Sequence, residues 1–181
     1  MLLSLFSLVA TVHVVVAQPG TGTWNISTVD SGGVGQYTSL ALDSLGYPHI
    51  SYYAGGNLNY AYEDATGWHI ITVDAGMSQY SQYTSLALDS HGYPHISYFG
   101  GYVPKYAYQD ANGWHYTTLG SYNGHTSIAL DANGYPHISY YDHTNGTLKY
   151  AYQNATGWHI SRVDSGYGGY TLPGSGSPSG S

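Results

Sequence analysis

Tyr83-Thr84-Ser85-Leu86-Ala87-Leu88-Asp89, followed closely by Gly92-Tyr93-Pro94-His95-Ile96-Ser97-Tyr98, decides how this chain is read. The same pair of strings stands upstream, at residues 37–43 and 46–52, and downstream, at 125–131 and 134–140, with His125 and Ile128 in place of Tyr and Leu. Each copy continues into a Tyr-Ala-Tyr segment, at 60–62, 106–108 and 150–152, and then into Gly-Trp-His, at 67–69, 113–115 and 157–159. Trp24, Trp68, Trp114 and Trp158 are spaced by 44, 46 and 44 residues. Self-similarity at that period marks a stacked-repeat architecture, and the interval suits a four-stranded propeller blade.

Each unit supplies four strand candidates. In the first they are Thr38-Ser39-Leu40-Ala41-Leu42, His49-Ile50-Ser51-Tyr52-Tyr53, Asn59-Tyr60-Ala61-Tyr62 and Trp68-His69-Ile70-Ile71-Thr72-Val73. All are rich in β-branched and aromatic residues and bounded by Gly, Asp, Asn or Pro. Asp43, Asp89 and Asp131 open tight turns that close on Gly46, Gly92 and Gly134. There Asp accepts backbone N–H groups and Gly takes a positive φ. Pro48, Pro94 and Pro136 fall at the first position of the next strand, where a missing donor does least harm. Along one strand Leu86 and Leu88 face one way and Ser85 and Ala87 the other; along another, Tyr106 and Tyr108 oppose Ala107. The expectation is a bulky side and a small side to every sheet, so that copies interdigitate when stacked. One such sheet cannot bury both faces alone.

These units resemble the extracellular tandem repeats of bacterial and archaeal surface proteins, with the signature Tyr-Thr-Ser-Leu-Ala-Leu-Asp-x-x-Gly-x-Pro-His-Ile-Ser-Tyr-Tyr. The match covers about residues 24 to 164. The resemblance implies a β-propeller and secretion, and it carries no established active site. The expected fold is therefore all-β: a propeller-like array of three four-stranded blades plus one extra Trp-type strand at residues 24–30. Closed propellers usually need at least four blades, so three blades leave open sheet faces and the extra strand unpaired.

The flanks read differently. Residues 1–17 are almost wholly apolar and end Val15-Val16-Ala17, a signal-peptide pattern predicting cleavage before Gln18. Residues 18–164 form the repeat domain. Residues 165–181 are Gly, Ser, Tyr and Pro with few large apolar side chains, the composition of a flexible tail.

Composition narrows the function classes. Charged residues make up only 7% of the chain, yet hydrophobic residues reach 42% and Tyr alone numbers 22, which points to a packed fold rather than disorder. The net charge is −7 and the basic side chains are only Lys105, Lys149 and Arg162. Phosphate neutralisation needs clustered Lys and Arg, so nucleic acid is a poor partner. No Cys is present, which removes disulfides and thiolate chemistry.

Catalysis finds little support. His49, His95 and His137 recur at one repeat position and His69, His115 and His159 at another. Symmetric copies read as structural, because a metal needs close convergent ligands; no metal or cofactor is expected. Asp43, Asp89 and Asp131 read as turn caps rather than a glycosidase pair, which needs two carboxyls flanking one bond. A sialidase-type arginine cluster is impossible with Arg162 alone, and Glu63 is the sole Glu.

The candidate sites are of three kinds. Trp24, Ile26, Val29 and Trp158 belong to Trp-type segments and are expected to mediate strand donation between chains, because an unpaired strand edge recruits a partner. Tyr52, Tyr98 and Tyr140 are candidates for stacking on glycans. Asn25, Asn145 and Asn154 open Asn-x-Ser/Thr triplets, the form of N-glycosylation acceptors. The expected function is non-enzymatic: a secreted, self-associating structural or adhesive surface component, with a carbohydrate-binding, lectin-like propeller as the alternative.

Overall fold

The computed structural model describes residues 25–31, 34–77, 83–120 and 123–164. The leader, Trp24 and the tail after residue 164 lie outside these. Twelve strands run in order through the described residues: β1 (Gln36–Leu42), β2 (Pro48–Ala54), β3 (Asn57–Asp64), β4 (Gly67–Asp74), β5 (Thr84–Leu88), β6 (Pro94–Gly100), β7 (Val103–Asp110), β8 (Gly113–Thr118), β9 (Asn123–Leu130), β10 (Pro136–Asp142), β11 (Thr147–Asn154) and β12 (Gly157–Arg162). They form three four-stranded antiparallel meanders, β1–β4, β5–β8 and β9–β12. No helix occurs among them.

The hairpins follow from local chemistry. Asp43 Oδ1 accepts the N–H groups of Leu45 and Tyr47, each at 2.8 Å. Gly46 takes φ 87° and its N–H reaches Asp43 O at 3.1 Å. Asp89 and Asp131 repeat this arrangement. Partial burial works against ionisation of Asp43, but the N–H groups of Tyr47 and Leu45, together with His49 nearby, hold its carboxyl below the ordinary range. The three prolines open β2, β6 and β10, as the spacing predicts.

Register corrects the expectation of one bulky and one small side. Leu86 lies opposite Ile96, Ile96 opposite Ala107, and Ala107 opposite Tyr116. Directly paired residues share a face. The large leucines therefore stand beside the small alanine, and Ser85 and Ala87 stand on the side of Tyr106 and Tyr108. Each sheet has an aliphatic face closed by its Trp and a second face of stacked rings. His95, Tyr108 and His115 form such a stack in the second sheet, with centroids 5.6 and 4.7 Å apart. The first and third sheets carry the same stack.

The ring face of one sheet packs on the aliphatic face of the next. Between the first and second sheets lie Leu58, Tyr60, Val73, Leu86, Ile96 and Tyr98; between the second and third lie Tyr106, Leu119, Ile138, Tyr140 and Ala151. The strands β1, β5 and β9 run side by side through this stack. The array is open: the second sheet packs on the first and on the third, and the first and third do not pack on each other.

The extra Trp-type strand does not form among the described residues. Asn25 to Asp30 belongs to no ladder. The reason is a missing partner. A Trp-type strand pairs with a Tyr-Ala-Tyr strand, as β4 pairs with β3, and each of β3, β7 and β11 already holds its own.

Candidate functional site

The interface between sheets is built twice from one set of contacts. Leu86 N–H donates to Ser39 Oγ at 3.0 Å, and the equivalent Ile128 N–H donates to Ser85 Oγ at 3.2 Å. Trp114 stands edge-on to Tyr60 with centroids 5.9 Å apart, and Trp158 stands edge-on to Tyr106 at 5.4 Å. The Tyr98 hydroxyl donates to Asp74 at 2.8 Å, where Lys105 also donates at 2.9 Å. In the next interface residue 120 is Gly, and the Tyr140 hydroxyl donates instead to Leu119 O at 3.0 Å. Burial, and after it the Asp74 charge, push the Tyr98 phenol far up, so it remains a donor at any ordinary pH.

Both outer faces of the stack display half of this interface. On the first sheet Leu40 is 62% exposed, whereas its equivalent Leu86 is 7% exposed. On the third sheet Leu148 is 42% and Val163 61% exposed, whereas their equivalents Leu58 and Val73 are 0% and 5%. The first sheet shows an aliphatic face and the third a ring face. The two are complementary, because the same pairing closes both internal interfaces.

No protein-family model and no curated protein matches the chain.

The sequence-predicted residues fall in three places. Trp24 lies outside the described residues. Ile26 is 93% exposed, while Val29 packs with Val34 against Tyr52, Ala54 and Ala61. Asp30, which the sequence reading passed over, accepts the Tyr52 hydroxyl at 2.7 Å. Trp158 packs within the chain on Tyr106; the Trp left beside the open aliphatic face is Trp68, which lies against the Tyr52 cluster. Tyr98 and Tyr140 are buried between sheets and Tyr52 beneath the coil that carries Val29 and Asp30, with hydroxyls bonded to Asp74, Leu119 and Asp30 respectively. Asn25 is exposed. Asn145 is exposed and donates to Asp142 at 2.9 Å, but the Thr147 hydroxyl of its triplet is buried. Asn154 Oδ1 accepts from Thr156 Oγ1 at 2.7 Å.

The repeated histidines serve the sheets. His95 Nδ1 meets the Tyr106 hydroxyl at 2.6 Å, and Asp89 lies 4.0 Å from Nε2. His49 and His137 have the same partners, Tyr60 with Asp43 and Tyr150 with Asp131. Burial pulls the His49 and His95 imidazoles down, against the pull of their aspartates, so both stay neutral at pH 7. Among the described residues no three His, Asp or Glu side chains gather in a group that could hold a metal ion.

Ser39, Ser85 and Asp30 carried no sequence signal of their own. The clue was positional: Val29-Asp30 matches Val73-Asp74 and Val163-Asp164 in the repeat.

Proposed function

We propose that this chain is a secreted, non-enzymatic β-propeller-type repeat protein, whose sheets act as blades and which associates with copies of itself as a structural component of the cell surface. One observation carries the reading: the interface built twice inside the chain is left half-made at each end, aliphatic on the first sheet and ring-bearing on the third. A contact between unlike faces is heterologous, so it continues into a ring or a filament rather than stopping at a two-fold dimer. The directional stacking favours the filament. Large exposed apolar faces are uncommon on monomers and mark association surfaces. The sparse charge supports the same reading, because charged residues make up only 7% of the chain and the exposed faces are largely apolar. Secretion rests on the apolar leader, and processed protein is expected to begin at Gln18. The non-enzymatic reading rests on repetition: the Asp–His–Tyr contacts recur in all three units as part of the packing.

Electron microscopy and sedimentation of the secreted protein test this. Concentration-dependent polymers with a repeat of one chain are the expected result. A monomer at all accessible concentrations would overturn the reading.

A further inference from the structure

The aliphatic face of the first sheet is covered in part by a spare piece of the repeat. Val29 and Asp30 correspond to Val73 and Asp74, the last residues of a Trp-type strand. They also occupy the corresponding seat. Asp30 accepts the Tyr52 hydroxyl at 2.7 Å as Asp74 accepts Tyr98 at 2.8 Å. Val29 packs on the Tyr52 cluster as Val73 packs on the Tyr98 cluster. The coil thus imitates the edge of a preceding sheet.

The imitation is incomplete. A pocket of about 300 Å3 lies between the segment and the first sheet, lined by Thr38, Ile50 and Tyr52. At the equivalent internal positions Thr84 donates to Ser51 at 2.8 Å and Ile96 is fully buried. A whole sheet fills that space; a short coil leaves it open.

The same pair, Val163-Asp164, directly follows β12 of the third sheet, and Val163 is exposed. Resting on the self-association reading, we propose that Val163 and Asp164 of one copy displace Val29 and Asp30 of the next copy from the Tyr52 seat. The segment at 25–31 is then an exchangeable cap that restrains growth. The exchange trades one carboxylate–tyrosine hydrogen bond for another. What it adds is burial: Leu40, Leu42, Leu148 and Tyr141 leave water. It also supplies the third copy of the Ser–N–H contact, from Leu40 N–H to Ser127 Oγ of the second chain, and of the Trp–Tyr contact, Trp68 on Tyr150. Two carboxylates cannot share one hydroxyl without repulsion, so cap and partner exclude one another.

Sedimentation velocity on the secreted chain and two variants tests the exchange. Asp30→Ala loosens the cap and is expected to lower the association midpoint by roughly tenfold, the worth of one charge-assisted hydrogen bond. Asp164→Ala removes the incoming partner and is expected to raise it by a similar factor. Thermal melts accompany each variant, and Asp164→Asn replaces any Asp164→Ala protein that does not melt cooperatively. Opposite shifts uphold the proposal. Association in all proteins without opposite shifts overturns the cap and leaves self-association standing. If neither the parent chain nor Asp30→Ala associates, both readings fall.

Discussion

Tyr52 donates to Asp30 at 2.7 Å across the one face of the first sheet that no other sheet covers. Tyr98 makes the same bond to Asp74 across a face that a sheet does cover. The repeat therefore specifies a contact between successive units, and the chain applies it even where the preceding unit is only a short coil.

Asp74 is the internal test of that contact. It holds both Tyr98 and Lys105, and its side chain is about one-fifth exposed. Asp74→Ala leaves a buried phenol without an acceptor, which costs about 1–3 kcal/mol. Urea unfolding of the variant should show that loss with an unchanged slope. A variant as stable as the parent would show that the bond adds nothing.

Ile96 and Leu40 face the same way in neighbouring units but differ in what covers them. Ile96 is fully buried and Leu40 is 62% exposed. Ile96→Ala should cost about 2–5 kcal/mol, through lost transfer energy and the cavity left behind. Leu40→Ala should leave the melting of the dilute chain almost unchanged, within about 0.5 kcal/mol, and weaken association instead. Equal losses of stability at both sites would mean that Leu40 is covered within the chain.

Acid should destabilise the stack from near neutrality. Burial holds His49 and His95 below the ordinary imidazole value of 6.5. The unfolded chain takes up these protons near that value, the folded chain only at lower pH. Between the two the unfolded state binds more protons, so stability falls as pH falls. Melting temperature should be level above about pH 7 and decline below about pH 6.5. Replacing both residues by Gln should flatten that decline; a melting temperature that rises on acidification would contradict it.

Much of the fold was legible in the residues. The 44- to 46-residue period, the Asp-to-Gly turns and the β-branched runs mark the twelve blade strands, and those twelve form among the described residues. What could not be read was register. Alternation within β5 separates Leu86 from Ser85, but only the hairpin pairing puts Leu86 beside Ala107 rather than beside Tyr106. Residues 25–30 have strand composition, yet a strand also needs a free partner edge, and β3, β7 and β11 have none on that side. The burial of Tyr52, Tyr98 and Tyr140 was not legible either, because an aromatic at a repeated strand position suits an exposed surface and a packed layer equally well. Asp30 was missed because a lone carboxylate on a loop carries no signal until the repeat is aligned across its end.

The most direct measurement of the central claim uses the absence of native cysteine. Leu40→Cys and Ser127→Cys are made as separate proteins and mixed under mild oxidation. The internal equivalents, Leu86 N and Ser39 Oγ, lie 3.0 Å apart, so head-to-tail stacking brings the two thiols within bridging reach. The account predicts a disulfide dimer containing one chain of each kind, and little of either homodimer. No bridged product, or homodimers in statistical proportion, would contradict it.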